Sequence, residues 1–529
     1  MDLKSKNNKI TTQQRLHLIQ MSERALAANP KNWDAAYNIG VLYGQEHQYD
    51  KAIEYFKKAL TGNKKNETVL AMLAECLYNI GNYKDSAKYN RKLTEISPNS
   101  AQRWGDYAVM LSNAGKIMQA EKAFAKAERL APNHPELMFQ KANFLRAQGK
   151  YEEANAILQQ IQEIEPGHSD SLYLYTHSRK FNAQEAAQYS SYVDQGLQKV
   201  EALQDISNLN YAGGKVWHDA GEPENAFKYY QQANDVRKDE LDKNFTAPFE
   251  GTKSVFKRDF IDEKACYGDQ TTAPIFILGM ARSGTTLIES LCGAHSKITA
   301  GDEMIHLNKI VTSLGLQKSD AASFRKIMLQ YTEADFRNMA ADYMKSVEEF
   351  VVNGSHFTDK LPANFMNIGF IKTILPNAKI IHCRRHPIDN CLSIYTNSMR
   401  SHHTAYKTDL TQLGLYYRQY WQLMQHWREH IKGGFHEVYY EDVVANTQLN
   451  ARNMIDYLNL DWEEGVLTRQ GSQKTIKTLS AWQARQPIYK SSAGRWRAYE
   501  KHLGPLIDAL GAVVPEYENE LEALQAKEA

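Results

Sequence analysis

A chain of 529 residues is too long for one ordinary domain and implies two or three. Hydrophobic residues at 43%, charged residues at 24% and a net charge of +1 argue against a broad nucleic-acid or membrane surface and leave room only for a local basic pocket. No apolar run is long enough to span a bilayer, MDLKSKNNKITTQQ carries no secretory core, and the five cysteines form no C-x-x-C pair, so a cytoplasmic protein with reduced thiols and no zinc site is expected.

The first half repeats itself. Pro98, Pro132 and Pro166 are spaced by 34 residues, and Pro30 fits the same register two periods earlier. Gly40, Ala74, Ala108 and Ala142 form one column; Ala120 with Ala154, Ala59 with Ala127, and Phe56 with Phe124 form others. Small residues let two helices approach closely, a phenylalanine fills the gap beside the contact, and proline ends the second helix. The pattern resembles the tetratricopeptide repeat, two antiparallel helices per unit. Full repeats are expected at 33–66, 67–100, 101–134 and 135–168, with a lone capping helix at 13–30; residues 169–205 lose the register and 207–240 regain it. Such an array binds a polypeptide acceptor or another protein on its concave face, supports a homodimer, or only carries the second domain.

A linker is expected over 241–270, and from about 271 the pattern changes. APIFILG is a wholly apolar run suited to a buried parallel strand, and NAKIIHCRR and FHEVYYEDVV read as further strands, each leading into a helix. The chain therefore reads as an α+α/β multidomain protein: a helical solenoid over 1–240 and, over 271–529, a P-loop-like α/β domain with a parallel sheet and ligands at its strand C-terminal ends. Within it, GMARSGTT is almost a phosphate-binding P-loop, but Thr285 stands where the lysine belongs. Backbone N–H groups at a helix N-terminus still cradle an anion, with hydroxyls from Thr285 and Thr286 and the guanidinium of Arg282. The second strand ends in Arg384-Arg385 rather than in an aspartate, which suits a nucleotide whose anionic groups are bound directly by protein without a metal. Three other readings stay open: a plain strand-to-helix turn, a P-loop kinase or NTPase, and a non-catalytic scaffold that binds a nucleotide.

The segment GMARSGTTLIESLCGAHSKITAGDE resembles the 5′-phosphosulfate-binding segment of sulfotransferases, notably the tyrosylprotein sulfotransferases and bacterial sulfotransferases fused to tetratricopeptide repeats. The resemblance implies PAPS (3′-phosphoadenosine 5′-phosphosulfate) as donor and a hydroxyl acceptor, protein tyrosine being one option. Arg282, Ser283, Gly284, Thr285 and Thr286 would then hold the phosphosulfate. LPNAKIIHCRRHPIDNCLS is similar to the 3′-phosphate site, with Arg385 and Ser393 in its two key places. The resemblance assigns the base to Glu303 in AGDEMIHL, with Asp302 as a neighbour able to raise its pKa; the pair equally caps a helix, and His306 is the rival base. Arg282 and Lys360 would offset charge on the leaving group, although Leu361 separates Lys360 from the expected proline and an exposed loop lysine is the plain alternative. Tyr440 would line the nucleotide or serve as a core aromatic, with Tyr439 on the opposite side of the strand. In QPIYKSSAGRW, Lys490 and Arg495 would close over the 3′-phosphate side or form a solvated basic loop. His295 is expected to support the glycine loop, and Asn364 to orient the acceptor or hold its own loop. His402 and His403 are adjacent in an exposed stretch without further ligands, so no metal is implied.

Overall fold

The computed structural model describes residues 12–241, 245–315, 321–351, 355–399, 406–468 and 493–528. The chain divides into two compact units, Met1–Ser171 and Leu172–Ala529.

The first unit begins with α1 (Thr12–Ala28) and continues as four antiparallel pairs: α2 (Trp33–Gln45) with α3 (Tyr49–Ala59), α4 (Glu67–Asn79) with α5 (Tyr83–Ile96), α6 (Ala101–Asn113) with α7 (Ile117–Leu130), and α8 (Pro135–Ala147) with α9 (Tyr151–Ile164). The four pairs fall where the repeats are expected, and α1 lies in the stretch ahead of them. Asn32, Asn66, Asn82 and Ser100 each accept a backbone N–H from the first turn of the helix that follows, which fixes where those helices start. The small-residue columns work as close contacts: a Cβ added to Gly40 would sit 2.7 Å from the Phe56 ring, and Ala108, Ala120, Ala142 and Ala154 are wholly buried. Each pair therefore covers the next, which is how a repeat too small for its own core becomes stable.

The second unit starts inside α10 (Ser169–Thr176) and continues with α11 (Ala183–Leu197), α12 (Leu203–Asp219) and α13 (Pro223–Asp235). The division at 171/172 lies well ahead of the expected 240. The reason is packing: Phe227 of α13 stacks on His502 at 4.2 Å and faces Tyr395 and Tyr499, Asn234 Nδ2 donates to the Tyr395 carbonyl at 3.0 Å, and His218 Nδ1 meets the Tyr499 hydroxyl at 2.7 Å. The 241–270 stretch, expected as a linker, also carries structure. Helices Thr246–Val255 and Arg258–Ala265 bury Phe249, Val255 and Ile261, with Phe256 between them, in the same core as Phe276 and Phe357.

Five parallel strands follow in the order β2-β3-β1-β4-β5: β1 (Pro274–Gly279), β2 (Ile298–Thr299), β3 (His356–Asp359), β4 (Lys379–Arg384) and β5 (His436–Tyr439). β1 is central and apolar throughout because both its faces are covered. Ile275 and Ile277 pack with Ile381, Cys383 and Val438, while Phe276 and Leu278 pack with Phe357 and Ile380 on the other side. Alternation along β4 separates its two arginines. Arg384 is buried, paired with Glu520 and the Tyr439 hydroxyl and lying 4.7 Å from the Trp421 ring, so it belongs to the core. Arg385 turns toward the loop after β1.

Candidate functional site

The loops after β1, β3, β4 and β5 gather at the carboxyl edge of the sheet, where an open parallel sheet binds its ligands. The β1 loop is shaped by backbone that only certain residues tolerate. At Gly279 (φ 146°) a Cβ would meet the Cys383 carbonyl oxygen at 2.3 Å, so nothing larger passes β4 there. Arg282 and Gly284 both take positive φ, at 67° and 100°, and this turn delivers the chain to the N-terminus of helix Thr285–Cys292. Among the described residues no side chain caps that helix, and the buried Ser283 Oγ has no hydrogen-bond partner. The turn thus presents backbone and hydroxyl donors together at one helix start, the requirement for holding an anion.

The residues expected around the donor converge on this turn. Arg282 Nε donates to Ser393 Oγ at 3.3 Å, and Arg385 Nη1 donates to the Arg282 carbonyl at 3.2 Å. The Arg385 guanidinium lies 4.9 Å from the Tyr440 ring centre, and that ring covers Gly284 so closely that a Cβ there would stand 2.8 Å from Tyr440 Cδ2. Tyr439 points away, to Arg384 and Glu520, as strand alternation requires. Helix Pro387–Tyr395 ties the parts together: Asn390 Nδ2 donates to the Ala281 carbonyl at 2.9 Å, and Asp389 accepts the backbone N–H groups of Gly494 (2.5 Å) and Trp496 (2.8 Å). Arg495 Nη2 reaches Thr396 Oγ1 just beyond that helix at 3.1 Å, while its buried Nε, like Asn390 Oδ1 and Trp496 Nε1, has no partner among the described residues. Lys490, His402 and His403 lie outside the described residues.

The second half of the site is built around Lys360, which is fully buried rather than an exposed loop lysine. Its Nζ stands 2.9 Å from Asp302 Oδ1, 3.2 Å from Glu303 Oε1 and 3.9 Å from Glu289 Oε2. Burial opposes the charge on this ammonium, but the Glu289, Glu303 and Asp302 carboxylates outweigh it and raise its pKa. Glu303 is the outermost acid, its side chain 47% exposed. Glu289 is the innermost, and burial pushes it up to about 7 against the pull of Lys360. Sequence reasoning missed Glu289. Its signal was the lone charged residue of the short helix TTLIESLC, one turn in. Asp359, at the end of β3, was missed too; it accepts from the Tyr343 hydroxyl at 2.9 Å and from Asn364 Nδ2 at 3.3 Å, so Asn364 holds its own loop.

The two histidines divide. His306 opens helix His306–Ser313 half-buried, and burial, then Lys309, lowers its pKa, so it is neutral near pH 7. His295 is buried and bonds the Asp461 carbonyl through Nε2 (2.9 Å) and the Lys297 N–H through Nδ1 (3.1 Å), bracing the 461–463 stretch rather than the glycine loop.

Residues 274–464 match the model of the sulfotransferase family, and residues 22–54, 45–106 and 113–177 match tetratricopeptide repeat models. An uncharacterized protein of Aquifex aeolicus (strain VF5) is 28% identical over 63% of this chain and 46% of its own length. Protein-tyrosine sulfotransferase A of Caenorhabditis elegans is 23% identical over 42% of this chain and 60% of its own. The chain spans about half the length of the curated relatives it matches. Among solved structures, the sulfotransferase domain of the Synechococcus PCC 7002 olefin synthase aligns at 18% identity with a TM-score of 0.33, over 43% of this chain and 89% of that domain. No helix among the described residues is long and apolar enough to cross a membrane.

Proposed function

We propose that this chain, which carries a sulfotransferase-family domain together with tetratricopeptide repeats, moves a sulfuryl group from PAPS to a hydroxyl acceptor. The observation that carries the reading is the meeting of Arg282, Ser393 and Arg385 at a glycine turn that, among the described residues, is uncapped and leaves the buried Ser283 hydroxyl unpartnered. PAPS carries anionic groups at both ends of its ribose, and the cleft has donors for both. Ser283, Gly284, Thr285, Thr286 and Arg282 suit the 5′ group; Arg385, Ser393 and Arg495 suit the 3′-phosphate, with Lys490 expected beside them. When bound, PAPS supplies a sulfuryl group on a phosphate leaving group.

The chain's own residues then have separable tasks. Arg282 and Lys360 offset negative charge on the leaving side, in a cleft where burial strengthens every charge. Glu303, the exposed acid on Lys360, accepts the acceptor's hydroxyl proton at Oε. Tyr440, stacked between Gly284 and Arg385, forms a flat wall beside the nucleotide. The acceptor we propose is a protein tyrosine, in keeping with the names of the animal relatives, and the repeats recruit that polypeptide. The reaction then belongs in the cytoplasm, where thiols stay reduced.

Titration calorimetry with PAP and with ATP–Mg²⁺ tests the donor, followed by sulfate transfer to a tyrosine peptide. PAP is expected to bind below about 1 μM without metal. Glu303→Gln is expected to lose about 100-fold or more in transfer while keeping PAP affinity within about threefold. ATP–Mg²⁺ hydrolysis without PAP binding would overturn the reading.

A further inference from the structure

We propose that Glu289 is the positioning residue of this site: it holds Lys360 and the Asp302–Glu303 turn in register, and it takes up from water the proton that balances the charge a donor brings. The inference rests on the PAPS reading above.

The geometry comes first. Glu289 projects from the helix that begins at the glycine turn, and its Oε1 accepts two bonds at once, from the Asp302 backbone N–H at 2.9 Å and from Thr358 Oγ1 at 2.7 Å. Thr358 Oγ1 in turn accepts the Gly301 N–H at 3.1 Å, and the Lys360 N–H returns to the Asp302 carbonyl at 3.1 Å. Asp302 sits at φ 61°, and a Cβ on Gly301 would lie 2.2 Å from the Thr358 carbonyl oxygen. A turn this constrained keeps its shape only where neighbours fix it, and Glu289 is the neighbour that reaches it from the phosphate-loop helix. One carboxylate thus sets the spacing between the glycine turn, the leaving-side lysine and the proposed base.

The charges supply the second half. Glu289 faces Lys360 and Asp359 from the end of β3, Asp302 and Glu303 from the turn, and the Cys292 thiol from its own helix. One ammonium serves three carboxylates. A donor whose anionic group approaches Lys360 shares that ammonium and adds like charge. Two buried carboxyls stand at about 7, Glu289 and Asp359, and of these it is Glu289 that lies 3.9 Å from the Lys360 ammonium, so Glu289 is the group then protonated. Neutralised, it still accepts the Asp302 N–H, so the turn holds while the repulsion falls.

The test is PAP binding by the full chain, measured calorimetrically near pH 7.5 in buffers of different ionisation enthalpy, for the parent and for Glu289→Gln. The parent is expected to take up a substantial fraction of one proton on binding PAP. Glu289→Gln is expected to bind PAP within about threefold of the parent with that uptake abolished, and its kcat/KM profile is expected to lose the limb near pH 7. A second variant, Glu289→Asp, keeps the charge but shortens the reach; it is expected to retain proton uptake while kcat falls about tenfold or more and KM for donor moves little. Undiminished uptake in Glu289→Gln, or an unchanged kcat in Glu289→Asp, overturns the proposal while leaving the donor reading intact. Failure of the parent to bind PAP at all overturns both.

Discussion

Asp359 offers a test of how this site stores charge, independent of any ligand. It is fully buried at the end of β3, against Tyr343 and Asn364, and burial pushes its carboxyl from the ordinary 3.8 to about 7 despite the bond from Tyr343. The folded chain therefore keeps a proton that the unfolded chain has released, and the sign follows. Stability contributed by this group is full below the unfolded value and is lost as pH rises through about 7. For a carboxyl moved this far, ionisation costs the fold about 4 kcal/mol at about pH 8 but only about 1 kcal/mol at about pH 4.5. Asp359→Asn removes the cost while keeping both contacts, its Oδ1 accepting from Asn364 Nδ2 and its Nδ2 donating to the Tyr343 hydroxyl. At roughly 2 °C per kcal/mol for a unit of this size, the second unit should melt about 8 °C higher at about pH 8 and about 2 °C higher at about pH 4.5. Circular dichroism melts of the two proteins at both pH values check this. An equal shift at the two pH values, or destabilisation at the higher one, would refute the argument that burial governs Asp359.

Arg385→Ala should weaken PAP by about 10- to 100-fold, the worth of a charge-assisted hydrogen bond, and adenosine 5′-phosphosulfate, which lacks the 3′-phosphate, by less than about threefold; equal losses in calorimetry would contradict the assignment. Phe227→Ala should cost about 3–5 kcal/mol by opening the contact with His502, Tyr395 and Tyr499, and should lower PAP affinity through the Arg495 segment. A melting temperature within about 2 °C of the parent would show that α13 does not brace that segment.

Much of this architecture was legible because it is periodic or local. The 34-residue columns gave the repeats, since a methyl-sized contact must recur wherever two helices cross in the same way. The strands at 274–279, 379–384 and 436–439 were readable as apolar runs flanked by loop chemistry. β2 and β3 were not, because IT and HFTD hold no apolar run to detect. The anion turn was legible because its glycines and arginines are consecutive; the environment of Lys360 was not, because its carboxylates come from 289, 302 and 303 and meet only when β3 lies beside β1. The unit boundary escaped for a related reason: residues 207–240 keep the repeat's spacing, and spacing says nothing about which neighbour a helix pair leans on.

That last pair has an evolutionary consequence. Solenoids lengthen and shorten by copying interchangeable modules, and the pairs from α2 to α9 meet that condition. α12 and α13 do not, because Phe227, Asn234 and His218 are committed to His502, Tyr395 and Tyr499. Homologues should thus differ in module number ahead of this pair, while the pair itself travels with the enzyme as an inherited part of its wall.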